Sequence, residues 1–300
     1  MGTAEKPVIG FIGLGLMGSA MVERLQNLNY PLLVTAHLNR GPIETAVARG
    51  AKEVRTPGEL AAKSDIIMLC VDTSAAVESV MNGADGVIQN LTTGTLVIDF
   101  GTSIPGSTRK LAAACKARGA SMMDAPLGRT PAHAVDGLLN IMAAGAEDDF
   151  NRARPILDDL GDNVFHVGPV GAGHTLKLIN NFFAMTTACA MSEAFAMADL
   201  ADLKRETLYE VMSSGPLKSG MMDFIKANAI DGNKNVLTFS ITNAHKDVGY
   251  YTAMADELDV PSFIAPTVKN TLGLAKVNSW GNRMVAEMVD FIAGVYGNKR

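Results

Sequence analysis

Residues 8–21 read VIGFIGLGLMGSAM, and no other stretch constrains the fold of this chain as strongly. An apolar run, 8–12, leads directly into Gly13-Leu14-Gly15-Leu16-Met17-Gly18, and the residues that follow suit a helix. A buried parallel strand, a glycine turn and a helix N-terminus together build an anion site. Gly13 is expected to permit the turn, Gly15 to let the backbone approach a pyrophosphate, and Gly18 to let helix and strand pack closely. Leu16 and Met17, between those glycines, count with them as cofactor contacts. A glycine turn that binds nothing is the competing reading. The strand–turn–helix context near the N-terminus favours a dinucleotide.

The rest of the first half repeats this alternation. Apolar runs at 31–36, 66–71 and 96–100, with a weaker one at 121–124, are predicted strands. Shorter candidates at 139–143 and 164–167 fall near the sheet edge. Helical patterns at 19–27, 43–49, 57–62, 75–81 and 107–118 lie between them. Such alternation predicts a parallel sheet covered on both faces. Beyond residue 168 the pattern is helical: 174–200, 205–213, 221–229, 245–258, 265–277 and 283–294. The expected fold class is therefore α/β. A Rossmann-type doubly wound parallel sheet over 1–168 precedes an all-helical C-terminal domain over 169–300. The 174–200 helix is apolar almost all round and is predicted to be a buried spine.

Composition narrows the function classes. The chain has 300 residues, 48% hydrophobic and 19% charged, enough to bury a core without disulfides or metal. A net charge of -5 argues against a nucleic-acid binder. Cys70, Cys115 and Cys189 are widely spaced, which points to a reducing, cytoplasmic setting. The histidines are scattered without HExxH or Cys/His spacing, so no metal site is expected. Neither a secretory leader nor an uninterrupted membrane span is visible.

The second predicted strand ends at Ala36 and continues His37-Leu38-Asn39-Arg40. A carboxylate there would accept from the adenosine ribose hydroxyls. Asn39 and Arg40 stand in its place, and a guanidinium suits a 2′-phosphate. NADP is therefore favoured over NAD, with His37 as a second donor. Arg40 as a solvated surface residue is the alternative. Val71, at the carboxyl end of the third predicted strand, lies at the edge where such sheets bind ligands.

Three further segments carry chemistry. Asp99-Phe100-Gly101-Thr102-Ser103-Ile104-Pro105 follows the fourth strand. Thr102 can donate near a nicotinamide, and Thr102 or Ser103 can also cap the next helix. Asp124-Ala125-Pro126-Leu127-Gly128-Arg129-Thr130-Pro131 follows the fifth. Gly128 gives amides room to face a small anion, Arg129 adds a cation and Thr130 a hydroxyl; an ordinary turn with a surface arginine is the alternative. In Gly171-Ala172-Gly173-His174-Thr175-Leu176-Lys177-Leu178-Ile179-Asn180-Asn181, Lys177 and Asn181 are four apart and share a helix face. A buried ammonium makes a usable proton donor or acceptor; a lysine snorkelling to solvent is the alternative. His174 is expected to be a satisfied structural histidine.

GFIGLGLMG, DFGTSIP, DAPLGRT and GAGHTLKLINN, in this order and followed by His245-Lys246-Asp247, together resemble the β-hydroxyacid dehydrogenase family. The resemblance spans nearly the whole chain. It implies a small anionic hydroxy-acid substrate beside nicotinamide in an interdomain cleft, and an assembly of two or four copies. It implies Lys177 as general acid/base, Asn181 as the residue orienting substrate, and Lys246 near the cofactor; Asp247 reads as helix packing. Many members carry Ser-Gly-Gly where this chain has Gly128-Arg129-Thr130. That variant looks like the sulfolactaldehyde reductase branch, in which Arg129 would help to hold a sulfonate with Asn180 and Asn181 opposite. An imine reductase has a similar fold, but Lys177 and Arg129 count against it. A non-catalytic NADP-binding reader would need a basic extension or reader module.

Overall fold

A computed structural model of the protein describes residues 6–36 and 39–297. It divides into two compact units, Met1–Lys177 and Leu178–Arg300.

The first unit opens with β1 (Ile9–Ile12), α1 (Leu16–Asn27), β2 (Leu32–Thr35), α2 (Gly41–Ala48), β3 (Lys52–Val54) and α3 (Pro57–Ala61). It continues with β4 (Ile66–Leu69), α4 (Ser74–Asn82), β5 (Leu96–Asp99), α5 (Pro105–Ala117) and β6 (Ser121–Asp124). The six strands are all parallel, in the order β3-β2-β1-β4-β5-β6. Chain order reverses between β1 and β4, the position at which doubly wound sheets bind ligands.

Continuous apolar strands fit this arrangement because both faces are covered. Ile9, Phe11, Ile66, Met68, Leu96 and Ile98 point into one core layer with Met21 and Leu25 of α1. Ile12, Ile67, Leu69 and Val97 point into the other, with Leu60 of α3 and Leu111 of α5. The two-residue side-chain period divides each strand between the layers.

β7 (Leu127–Gly128), α6 (Pro131–Asp136), β8 (Leu139–Ala143), α7 (Glu147–Leu160) and β9 (Gly161–His166) follow. β7 pairs antiparallel and β9 parallel with β8, forming a separate three-stranded sheet. The segments expected at the edge of the main sheet are thus β8 and β9 of this second one. One edge of the main sheet is β3, whose Lys-Glu-Val sequence carries too little apolar signal to be read as a strand. Helix α7 was likewise not expected. Pro155 interrupts its pattern, but Phe150, Ala153, Ile156, Leu157 and Leu160 bury one continuous face and hold it helical.

Helix α8 (Ala172–Leu200) begins in the first unit and continues into the second. The second unit adds α9 (Arg205–Ser213), α10 (Gly220–Ala229), α11 (Ile241–Glu257), α12 (Ala265–Ala275) and α13 (Met288–Val295). Met185, Ala188 and Phe195 of α8 join its core with Ile225, Val248, Leu272 and Phe291. The expected spine is not buried all round: Ile179 is 46% and Phe183 70% exposed. Among the described residues, no helix is long and apolar enough to cross a membrane.

Candidate active site

The glycine turn behaves as three separate devices. Gly13 has φ +100, and a Cβ there would sit 2.3 Å from the Cys70 carbonyl oxygen and 2.8 Å from Val71 Cγ1. A Cβ on Gly18 would sit 1.9 Å from the Gly13 carbonyl oxygen, so α1 can approach β1 only without a side chain. A Cβ on Gly15 would meet nothing within 4 Å. Gly15 is also the N-cap of α1, without a side-chain cap and without an acidic residue in the first turn. A helix N-terminus attracts an anion, and the open space in front of Gly15 fits a pyrophosphate. Leu16 is 84% exposed beside it, and Met17 is half-buried.

Val71 links this turn to the next candidate loop, since its carbonyl oxygen lies 3.0 Å from where a Gly101 Cβ would be. Asp99 shapes that loop: Gly101 N donates to Oδ1 at 2.8 Å and Ser103 Oγ to Oδ2 at 2.9 Å. Thr102 is half-buried between them. The N-cap of α5 is Ile104, without a side-chain cap bond, so neither Thr102 nor Ser103 caps the helix as expected. Ser103 is diverted by the nearer carboxylate.

Asn39 and Arg40, the candidates for the adenosine end, make contacts within the protein. Asn39 Oδ1 accepts from Gly41 N at 3.2 Å. Arg40 donates through Nη1 and Nη2 to Glu53 at 3.1 and 3.0 Å, and its Nε lies 3.6 Å from Glu44. A carboxylate is therefore present after all, supplied by β3 rather than by the end of β2. His37 lies outside the described residues.

The acid/base candidate sits beside the anion loop. Lys177 Nζ donates to the Leu127 carbonyl oxygen at 2.7 Å, immediately before Gly128, and is half-buried. Gly128 packs on β8, where a Cβ would meet Asn140 Cβ at 3.2 Å. Arg129 adopts φ 75. Its Nη1 donates to the Leu138 carbonyl at 2.6 Å and to Asp162 at 3.1 Å. Thr130 Oγ1 lies 2.7 Å from His133 Nδ1. The loop's backbone and Lys177 are brought together, while the described contacts of the Arg129 side chain run to β9 and its neighbourhood.

In the second unit, buried Asn181 donates from Nδ2 to Asp247 Oδ2 at 2.7 Å, and exposed Asn180 donates to Asn181 Oδ1 at 3.2 Å. Lys246 Nζ is 3.2 Å from Asp247 Oδ1 and 5.4 Å from the Tyr250 ring centroid. Asp247, expected only to pack α11, thus meets both Asn181 and Lys246. With Nδ2 committed to a carboxylate, the Asn181 amide is held in one orientation.

The sequence reading assigned no role to two buried carboxylates. Asp99 and Asp124 end neighbouring strands and are paired in register. Asp124 accepts from Gly171 N at 2.6 Å and from His174 N at 2.7 Å, capping the start of α8. Burial pushes its carboxyl above the ordinary range, while His174 and those two amides pull it back. The available signal was an aspartate closing an otherwise apolar strand, in LVID and again in SMMD.

Two family models cover the chain. The NAD-binding domain of 6-phosphogluconate dehydrogenase matches residues 8–168. The NAD-binding model of NADP-dependent 3-hydroxyisobutyrate dehydrogenase matches 171–292. The chain is 32% identical over 290 residues to 3-sulfolactaldehyde reductase of Escherichia coli, covering 96% of this chain and 97% of that one. It is 33% identical over 264 residues to 2-(hydroxymethyl)glutarate dehydrogenase of Eubacterium barkeri, covering 86% and 85%. In fold it is similar to Mycobacterium tuberculosis 3-hydroxyisobutyrate dehydrogenase, solved with L-serine, with a TM-score of 0.87 at 22% identity over 96% and 99% of the chains. With its glycine cradle, reversed strand order and ordered motifs, the chain belongs to the β-hydroxyacid dehydrogenase family of NAD(P)-dependent enzymes.

Proposed function

We propose that this enzyme interconverts a small β-hydroxy acid and its semialdehyde, with Lys177 as general acid/base and NADP(H) as the preferred cofactor. The observation that carries the reading is the bond from Lys177 Nζ to the Leu127 carbonyl, which sets an ammonium beside the Gly128-Arg129-Thr130 backbone. A bound nicotinamide supplies the hydride acceptor for oxidation and the donor for reduction. Lys177 takes the hydroxyl proton in one direction and returns it to the developing alkoxide in the other. Asn181 orients the reacting oxygen from the same helix.

Gly128, Arg129, Thr130 and Asn180 hold the acidic end of the substrate. A sulfonate is the favoured acid, because three oxygens call for more donors than a carboxylate. The named function of the Escherichia coli relative supports that choice. Arg129 takes part by exchanging its Asp162 contact for the substrate anion. Gly13, Gly15, Leu16, Met17, Gly18, Val71 and Thr102 line the cofactor from the first unit. Lys246 is a further cofactor residue in this reading, and Asn39 with Arg40 meets the adenosine 2′-phosphate.

Residues 1–168 form the cofactor domain in this reading, and 169–300 the substrate and oligomerisation domain. Exposed Ile179 and Phe183 on α8 support assembly as a homodimer or homotetramer. Three free cysteines, two buried and one half-buried, support a cytoplasmic setting. The test is a panel of 3-sulfolactaldehyde with NADH and NADPH, and of 3-hydroxyisobutyrate, glycerate and 4-hydroxybutyrate with NAD and NADP, all followed at 340 nm. Preferential turnover of the sulfonate with the phosphorylated cofactor is expected. Absence of turnover across the panel overturns the proposal.

A further inference from the structure

His174 is completely buried, and the mechanism above does not use it. Its Nδ1 lies 2.8 Å from Thr108 Oγ1 on α5 and 3.7 Å from Asp124 Oδ2 on β6. Its Nε2 lies 3.7 Å from Asp99 Oδ2 on β5 and has no hydrogen-bond partner among the described residues. Each ring nitrogen therefore faces a buried carboxylate at ion-pair range, too far for a direct hydrogen bond. Leaving a buried polar nitrogen in that state costs free energy.

The two carboxylates organise different parts of the site. Asp99 holds the Gly101 amide and the Ser103 hydroxyl, shaping the Thr102 loop. Asp124 holds the Gly171 and His174 amides at the start of α8, three residues before Lys177. The seat is closely fitted: a Cβ on Gly173 would lie 2.8 Å from Asp124 Oδ2 and 2.4 Å from the Met142 carbonyl oxygen. Other groups that bear charge or titrate border the cluster. The Arg109 guanidinium of α5 packs against Gly171, where a Cβ would be 3.1 Å from Nη1. The Cys70 thiol, after β4, is pushed up to about 12 by burial and then by Asp99 and Asp72.

We propose that His174 is a positioning residue for Lys177, bridging Asp99 and Asp124 so that the first turn of α8 and the Thr102 loop are held in one arrangement. This rests on the reading of Lys177 as the acid/base. Removing the imidazole takes away a group that pulls the Asp124 carboxyl down. That carboxyl then protonates at higher pH, the cap on α8 weakens, and Lys177 leaves its place on the Leu127 carbonyl.

The test compares the wild-type chain with His174→Gln and Thr108→Val, using NADPH and the aldehyde that corresponds to the best panel substrate. His174→Gln is expected to lower kcat about ten- to a hundredfold, with a smaller rise in the KM for NADPH through the Thr102 loop. The acidic limb of its kcat profile should move to higher pH. Thr108→Val, which releases the ring without removing it, should lower kcat in the same direction by less. It carries the test if His174→Gln does not fold. Unchanged kcat and an unmoved acidic limb, with only a lower Tm, overturn the proposal. A second readout does not need turnover. Lysines are reductively methylated with 13C-formaldehyde, and the Lys177 NMR signal is assigned by its loss in Lys177→Arg. That signal should move in His174→Gln, and a stationary signal also overturns positioning. Wild-type turnover in Lys177→Ala would instead overturn the functional reading, whatever His174 does.

Discussion

Lys177 Nζ and the carbonyl oxygen of Leu127 are 2.7 Å apart, although 50 residues separate them in the chain. The bond ties a side chain of α8 to Leu127, the residue before Gly128. A main-chain carbonyl cannot be exchanged by mutation, so the lysine position is tied to the path of β7. The acid/base candidate and the backbone of the Gly128-Arg129-Thr130 loop are thereby placed together through a main-chain bond.

Lys177→Ala is expected to lower kcat by about a hundred- to ten-thousandfold, the usual contribution of a positioned acid/base. NADPH affinity, measured by fluorescence titration, should stay near that of the parent because the glycine cradle is untouched. Lys177→Arg restores charge but not proton exchange, and should remain as slow. Near-parental turnover in either variant removes Lys177 from the chemistry.

Arg129→Ala should act mainly on KM for the acidic substrate. One charge-assisted contact is worth about 1.5–3 kcal/mol, a change of roughly ten- to a hundredfold. Asp162→Asn releases the guanidinium from its ion pair, and KM should then fall or hold while kcat is unchanged. If both variants leave KM untouched, Arg129 serves only the fold around β9.

The parts of this arrangement that were legible in the sequence are those governed by local backbone physics. Gly13 and Gly18 announce a turn and a close approach, and apolar runs such as 66–69 announce strands buried on both faces. β3 was not legible because an edge strand needs little apolar surface. α7 was hidden by Pro155, since its helix is set by a buried face rather than by propensity. The partners of the candidate cations were hidden for another reason. Glu53 and Asp162 lie 13 and 33 residues from Arg40 and Arg129 and meet them only through strand order. The buried Asp99–His174–Asp124 cluster likewise exists only once β5, β6 and α8 are adjacent.

Arg40→Asp should shift the ratio of kcat/KM for NADPH over NADH toward NADH, by repelling the 2′-phosphate and offering the ribose an acceptor. Glu53→Gln discriminates further. Arg40 is presently bound bidentately by Glu53. Neutralising that competitor should lower the KM for NADPH and leave NADH unchanged. An unaltered cofactor ratio in both variants removes Arg40 from the nucleotide site.

Two glycines of one motif should fail in different ways when given a methyl group. In Gly18→Ala the new Cβ meets the Gly13 carbonyl oxygen at 1.9 Å, an overlap only backbone movement can relieve. Overpacking of this kind costs about 1–3 kcal/mol, so a lower Tm without ligand is expected. In Gly15→Ala the Cβ enters open space, and unliganded stability should match the parent. The methyl then occupies the front of the α1 N-terminus, where a pyrophosphate would approach. Gly15→Ala should therefore lose the rise in Tm that NADPH gives the parent. Thermal melts with and without NADPH separate the cases. A Gly15→Ala chain that still gains the full shift would place the cofactor elsewhere than this turn.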